Sequence, residues 1–190
     1  QRRGAWLYRR VRGVDSSAVD PAERRKSISS ERTFFTDLDQ DDDLERRLLE
    51  LVSSVGPTLR RKGWRTRTVT VKLRDHDFTT RQHSRTLPEA VESNSAIYSV
   101  ARELLRELRT QRRVASRLLG VGLTGLVAAG DAHQLGLFEE PVAGETERDR
   151  SLSRAVDKLT DRFGSDAVLP GRIMGRGPGR RPPTEDGDET

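Results

Sequence analysis

Between residues 65 and 86 the chain carries Arg65, Arg67, Lys72, Arg74, Arg81 and Arg85 against only Asp75 and Asp77, a local net charge of +4. Hydroxyls are interleaved with these cations or lie on a nearby stretch: Ser27, Ser29, Thr33, Thr68, Thr70, Thr79, Thr80, Ser84 and Thr86. Short hydroxyls, backbone N–H groups and a few Arg or Lys side chains are what phosphate oxygens need, and none of them reads a base edge. The pattern therefore predicts a grip on duplex backbone without sequence preference. Neutralising about five phosphates would give a log–log salt slope of about −4.5. Aromatic side chains are missing from the outward positions read here, which argues against a platform for stacking single strands. The competing reading is a solvated sheet face rich in β-favouring threonine.

Other chemistries fit less well. Asp37, Asp39, Asp41, Asp42 and Asp43 resemble a calcium loop, but the sixth position would be Asp42 instead of Gly and the twelfth Leu48 instead of Glu. Acids in that place complement the dipole of the helix that follows. Asp75-His76-Asp77 reads as a polar turn, and His76, His83 and His133 lack ligand spacing. There is no Cys, no G-x-S-x-G and no phosphate loop. No catalytic residue, metal site or cofactor is assigned within this chain.

Composition frames these choices. The 190 residues hold 35 Lys+Arg and 30 Asp+Glu; four of the cations are lysine, leaving 31 arginines. Arginine forks onto phosphate well, although a GC-rich genome would give the same bias. The absence of cysteine excludes disulfides and thiolate metal sites. No apolar run approaches the ~18 residues of a membrane helix, and no signal peptide opens the chain, so a cytoplasmic monomer is the default expectation. Residue 1 is Gln and the sole methionine is Met174, which suggests the back end of something longer.

The elements that must position these groups follow from periodicity. Residues 1–14 form a helix with Trp6, Leu7 and Val11 on one side; 16–25 reads as a linker. KSISSERTFF (26–35) is a strand with Ile28 and Phe34 of one parity. A helix from Leu44 to Lys62 is closed by Gly63, and Gly56-Pro57 should kink or interrupt it. TRTVTVKLR (66–74) is the clearest strand, with Val69, Val71 and Leu73 facing one way and Thr70, Lys72 and Arg74 the other. FTTRQHSRT (78–86) runs back until Leu87-Pro88 ends it. Ser93 or Asn94 caps a second helix bearing Ile97, Val100, Ala101, Leu104 and Leu108, and 113–126 supplies a last strand. The order β-α-β-β-α-β predicts an α+β two-layer sandwich: a four-stranded antiparallel sheet with two helices on one face. A short amphipathic helix is expected at 151–163, with Leu152, Ala155, Val156, Leu159 and Phe163 on one stripe.

KSISSERTFF, then RKGWRTRTVTVKLRDHDFTTRQHSRTLP, then SRLLGVGLTGL, in this order and spacing, resemble the C-terminal half of a Y-family DNA polymerase of the bacterial polymerase IV type. The resemblance covers roughly 26–127, the family's little finger, and 1–20 is similar to the end of its thumb and the tether. It implies a sheet lying in the major groove of primer–template DNA. By motif the contacts fall on Lys26, Ser27, Ser29, Arg32, Thr33, Thr70, Lys72, Arg74, Arg81, His83 and Arg85. His83 stands where many relatives carry Arg, which implies a weaker phosphate contact there, or one moved to Arg81. The family's Mg2+-binding palm carboxylates lie upstream of residue 1, so polymerase activity belongs to a parent protein and this chain alone is expected to be inactive.

HQLGLFEE (133–140) follows the last strand and is similar to the bacterial sliding-clamp binding peptide. The resemblance implies that Gln134 hydrogen-bonds while Leu135, Leu137 and Phe138 fill an apolar cleft on the clamp (its β subunit). The expected organisation is then 1–25 end of thumb and linker, 26–127 little finger, 128–150 linker with the clamp peptide, 151–170 short helix and 171–190 disordered tail. The expected function is the DNA-gripping, clamp-tethering part of a translesion polymerase serving damage bypass and repair. The alternative is a free-standing nucleic-acid-binding module, or a clamp-interaction protein, with no polymerase attached.

Overall fold

Val69, Val71 and Leu73 alternate with Thr70, Lys72 and Arg74, and that period of two sets the two faces of the molecule. The structure, a computed structural model, describes residues 2–15, 26–128 and 145–173. Its elements are α1 (Arg2–Val11), β1 (Ser27–Leu38), α2 (Asp41–Arg61), β2 (Trp64–Asp75), β3 (Thr80–Val91), α3 (Asn94–Gln111), β4 (Ser116–Ala128) and α4 (Glu147–Phe163). The four strands form one antiparallel sheet in the order β1-β4-β2-β3. β4 thus enters last between β1 and β2, the split arrangement expected from the order of elements.

The helices α2 and α3 lie on one face of this sheet. Leu44, Leu48, Val52, Val55 and Leu59 from α2, and Ile97, Ala101, Leu104, Leu105 and Leu108 from α3, meet Val69, Val71, Leu73, Leu119, Val121 and Leu123 in a single core. Ser93 caps α3, its hydroxyl accepting from the Ala96 N–H, and Gly63, at φ +65, ends α2 in the left-handed conformation that glycine adopts without strain.

Three elements differ from the sequence expectation. α2 runs through Pro57 without a break. An internal proline costs roughly 3 kcal/mol. Val52, Val55 and Leu59 on either side are each buried, and burial at roughly 1.5–3 kcal/mol per side chain outweighs it. Strand β3 continues through Leu87-Pro88 to Val91, because β3 is an edge strand and a missing N–H on its outer side breaks no ladder. α4 begins at Glu147, one turn earlier than periodicity suggested, because Thr146 and Asp149 form a reciprocal capping box.

α4 also docks by an unexpected side. Arg60 holds the Asp157 carboxylate at 2.7 and 2.8 Å, Arg154 pairs with Glu92, and the Asn94 N–H donates to the Ser153 hydroxyl at 3.3 Å. The stripe of Leu152, Leu159 and Phe163 is left exposed. Gly56 belongs to this junction: a Cβ there would sit 1.9 Å from Asn94 Oδ1, which instead accepts from Arg60 at 3.0 Å.

Candidate nucleic-acid interface

The sheet face opposite α2 and α3 is built in rows across the strands. Register places Ser27, Thr124, Thr68 and Thr86 in one row, then Ser29, Gly122, Thr70 and Ser84, then Glu31, Gly120, Lys72 and Gln82, then Thr33, Leu118, Arg74 and Thr80. Hydroxyl groups dominate. Thr68 bonds Thr86 at 2.9 Å and Thr70 bonds Ser84 at 2.8 Å. Gly120 and Gly122 leave the middle of β4 without side chains. At Gly120 a Cβ would lie 3.0 Å from the Glu31 Cβ, and across this gap Lys72 Nζ meets Glu31 at 2.5 Å. Arg74 Nε donates to the Thr80 hydroxyl at 2.9 Å and pairs with no carboxylate among the described residues.

The sequence-derived contacts divide between the two faces. Ser27, Ser29, Thr33, Thr70, Lys72 and Arg74 share the open face, and Lys26 precedes the first row. Arg81, His83 and Arg85 do not. They pair with Leu73, Val71 and Val69 and therefore point to the helix side. Arg81 grips Asp75 at 2.9 and 3.1 Å, His83 faces Glu107 at 3.3 Å and Gln111 at 3.1 Å, and Arg85 binds Glu103 and Glu107. Arg32 likewise opposes Leu119 and bonds Glu50 of α2 at 2.8 Å. Register thus sets β3's cations on the side opposite Thr70, Lys72 and Arg74. Arg85 can reach the open side only around the sheet edge, by leaving Glu103 and Glu107. Arg81, the alternative to a weaker contact at His83, is paired with Asp75.

The acidic runs are structural. Asp75 is 0% exposed, and Arg81 and Arg112 both close on it. A hydrogen bond from Arg112, aided by the Thr79 backbone N–H, holds the Asp77 carboxyl well below the usual carboxylate range. Asp41 accepts from Arg109 at 2.7 Å, Asp37 from Arg117 at 3.2 Å, Asp43 from Arg46 and Asp42 from Arg172 at 3.4 Å; Arg109 also meets Asp39. Each carboxylate of the two runs has an arginine partner, and no group of His, Asp or Glu among the described residues is placed to hold a metal ion. These residues do not fit a Mg2+ site.

Sequence reasoning missed one outward aromatic. Phe35 is two residues beyond Thr33 on the same parity of β1 and is fully exposed, at 111%. Counting outward positions at 27, 29, 31, 33 and 35 would have found it. At the same end of the sheet, Arg117 stacks 4.9 Å from the ring of Phe78 in the β2–β3 turn while pairing with Asp37. The peptide at 133–140 lies outside the described residues.

The C-terminal domain of the impB/mucB/samB family matches residues 25–137 of this sequence, more than half of the chain and all of the sheet. The chain belongs to this family. Its curated relatives include DNA polymerase IV of Caulobacter vibrioides, 39% identical over 171 residues, which are 90% of this chain and 41% of that protein. DNA polymerase IV of Desulfatibacillum aliphaticivorans is 36% identical over 173 residues, 91% of this chain and 43% of that protein. The chain thus spans about 40% of the length of the curated relatives it matches. A solved Y-family DNA polymerase chimera, Dbh-Dpo4(243-245)-Dbh, shares the fold with a TM-score of 0.52 at 19% identity over 67% of this chain and 36% of that one. Family membership agrees with the resemblance read from the three sequence phrases, and the sheet with its two helices is the two-layer sandwich expected from the order of elements.

Proposed function

We propose that this chain is the part of a translesion DNA polymerase that holds primer–template duplex by its backbone and tethers the enzyme to the sliding clamp. The observation that carries the first half is the open face: four rows, three of them bearing hydroxyls, floored by Gly120 and Gly122, with Lys72 and Arg74 at one end. Neutral donors and two cations hold phosphates without reading bases. Because β3's arginines face α3, this surface neutralises fewer phosphates than residue counting suggests. With Lys26, Lys72 and Arg74 engaged, the salt slope is about −2.7. Membership of a polymerase-associated family supports DNA as the partner. Nucleotidyl transfer with Mg2+ is the part of the parent polymerase's work that the family resemblance assigns to its palm carboxylates.

The second half rests on Gln134, Leu135, Leu137 and Phe138 as a sequence pattern. Burying three apolar side chains gives a gross ~5–9 kcal/mol, reduced by ordering and lost rigid-body freedom, so affinity near micromolar is expected.

Binding of this chain to primer–template duplex across a salt series tests the grip. The expected result is affinity independent of sequence, a slope of about −2.7, and a shallower slope in Lys72→Ala plus Arg74→Ala. Affinity without salt dependence would overturn it. Titration with purified sliding clamp, repeated with Leu137→Ala plus Phe138→Ala, tests the tether.

A further inference from the structure

The open face ends in a feature that phosphate binding does not use. Phe35 puts an entire aromatic ring into water on a strand whose other outward residues are Ser27, Ser29, Glu31 and Thr33. Phe78 is 64% exposed at the same end of the sheet and is the one non-glycine residue among those described with positive φ, at +64. Backbone held in that region is strained for a bulky side chain and needs a compensating reason. Arg117 links the β2–β3 turn to β1: its guanidinium lies 4.9 Å from the Phe78 ring and 3.2 Å from Asp37, two residues after Phe35.

We infer that Phe35, with the Phe78–Arg117 stack at the same end of the sheet, is a platform for unpaired bases of a nucleic-acid strand leaving the duplex held by the rows of the open face. This rests on the backbone-gripping reading of that face and extends it. Phe35 lies two residues beyond Thr33, which stands in the last row with Arg74, so a strand held there meets this ring next. Its charge excludes a further phosphate site. Asp37 already neutralises Arg117, and Asp77 lies in the Phe78 turn. Neutral ring faces and a guanidinium plane instead match the faces of bases, which stack on aromatic and Arg surfaces irrespective of sequence.

The test compares a blunt duplex with the same duplex carrying a single-stranded overhang that contains 2-aminopurine, using the full 190-residue chain. The overhang should tighten binding by about tenfold and change the probe's emission. Phe35→Ala should remove that increment while leaving blunt-duplex affinity intact, and Phe35→Tyr should restore it. Phe35 touches no core residue, so loss of folding is not expected; Phe78→Ala gives a second readout at the stack. Equal affinity for both DNAs, with the blunt duplex still bound, overturns the platform and leaves the grip standing. If the blunt duplex fails to bind but a free single strand still shows the Phe35-dependent signal, the grip falls and the platform remains. A change in self-association of the chain on Phe35→Ala, without any change in overhang binding, would assign the ring to a second copy and overturn the inference.

Discussion

Arg60 in the last turn of α2 and Asp157 in the middle of α4 are 97 residues apart in sequence and joined by two hydrogen bonds, of 2.7 and 2.8 Å. The Arg60 side chain is only 5% exposed, and its Nη1 group donates to the Glu92 carbonyl and to the Asn94 side-chain oxygen. A guanidinium with four of its five N–H groups engaged is thus what fixes α4, while the helix's own leucines stay exposed.

Removal of the carboxylate should therefore detach the helix. Breaking a buried pair from one side costs about 3 kcal/mol, because the remaining charge is left uncompensated. In Asp157→Ala, amide protection over 147–163 should fall by roughly 100-fold, with the amides of β2 and β4 unaffected. Hydrogen exchange resolved by residue measures both. Equal loss in the sheet would mean that α4 supports the whole fold.

Docking of α4 should also depend on pH. The Glu145 carboxylate accepts from the backbone N–H groups of Glu92 and Ser93 and from Arg150. Burial works to raise its pKa, but the Arg150 and Ser93 hydrogen bonds override it and the net shift is downward from 4.5. A depressed folded value means the stabilisation is complete above 4.5 and is lost as pH falls through the folded value. The Glu92 and Ser93 amide resonances should report that transition. Glu145→Gln should abolish it.

On the open face, the glycine floor should matter more than the edge arginine. A Cβ placed on Gly122 would meet the Thr70 and Ser29 Cβ atoms at 3.8 and 3.9 Å, ordinary contact distances. Gly122→Val should therefore fold while holding a duplex backbone away. Loss of one or two charge-assisted bonds at roughly 1.5 kcal/mol each gives about a tenfold or greater fall in affinity. Arg85→Ala, which removes partners of Glu103 and Glu107, should change duplex affinity less than twofold or threefold, an amount typical of an exposed pair. A larger effect from Arg85 than from Gly122 would place DNA on the β3 edge.

Asp75 should be the costliest acid to replace. It is buried and closed on by Arg81 and Arg112, which tie the end of β2 to the end of α3. Asp75→Asn should lower unfolding stability by about 3 kcal/mol, read as a lower denaturant midpoint at unchanged slope. Asp77→Asn, at an exposed position, should be much milder.

The sequence by itself determined the alternation of Val69, Val71 and Leu73 with Thr70, Lys72 and Arg74, the helical stripes of α2 and α3, and so the two-layer sandwich. Period and parity are local properties that any buried face imposes on its own strand. It also determined that Ser27, Ser29, Thr33 and Thr70 lie outward together. What only the tertiary structure decided was where β3 sits against β2. Val69 opposite Arg85 turns Arg81, His83 and Arg85 toward the carboxylates of α3 and Asp75, and a register one residue different would have put them outward. Such pairing joins residues from separate strands, so composition along one strand cannot reveal it. The polar docking of α4 has the same origin: Arg60, Glu92 and Glu145 become partners of one helix only once α2, the start of α3 and the chain after β4 converge. Tertiary contacts chose its docking side over the apolar stripe that local periodicity displays.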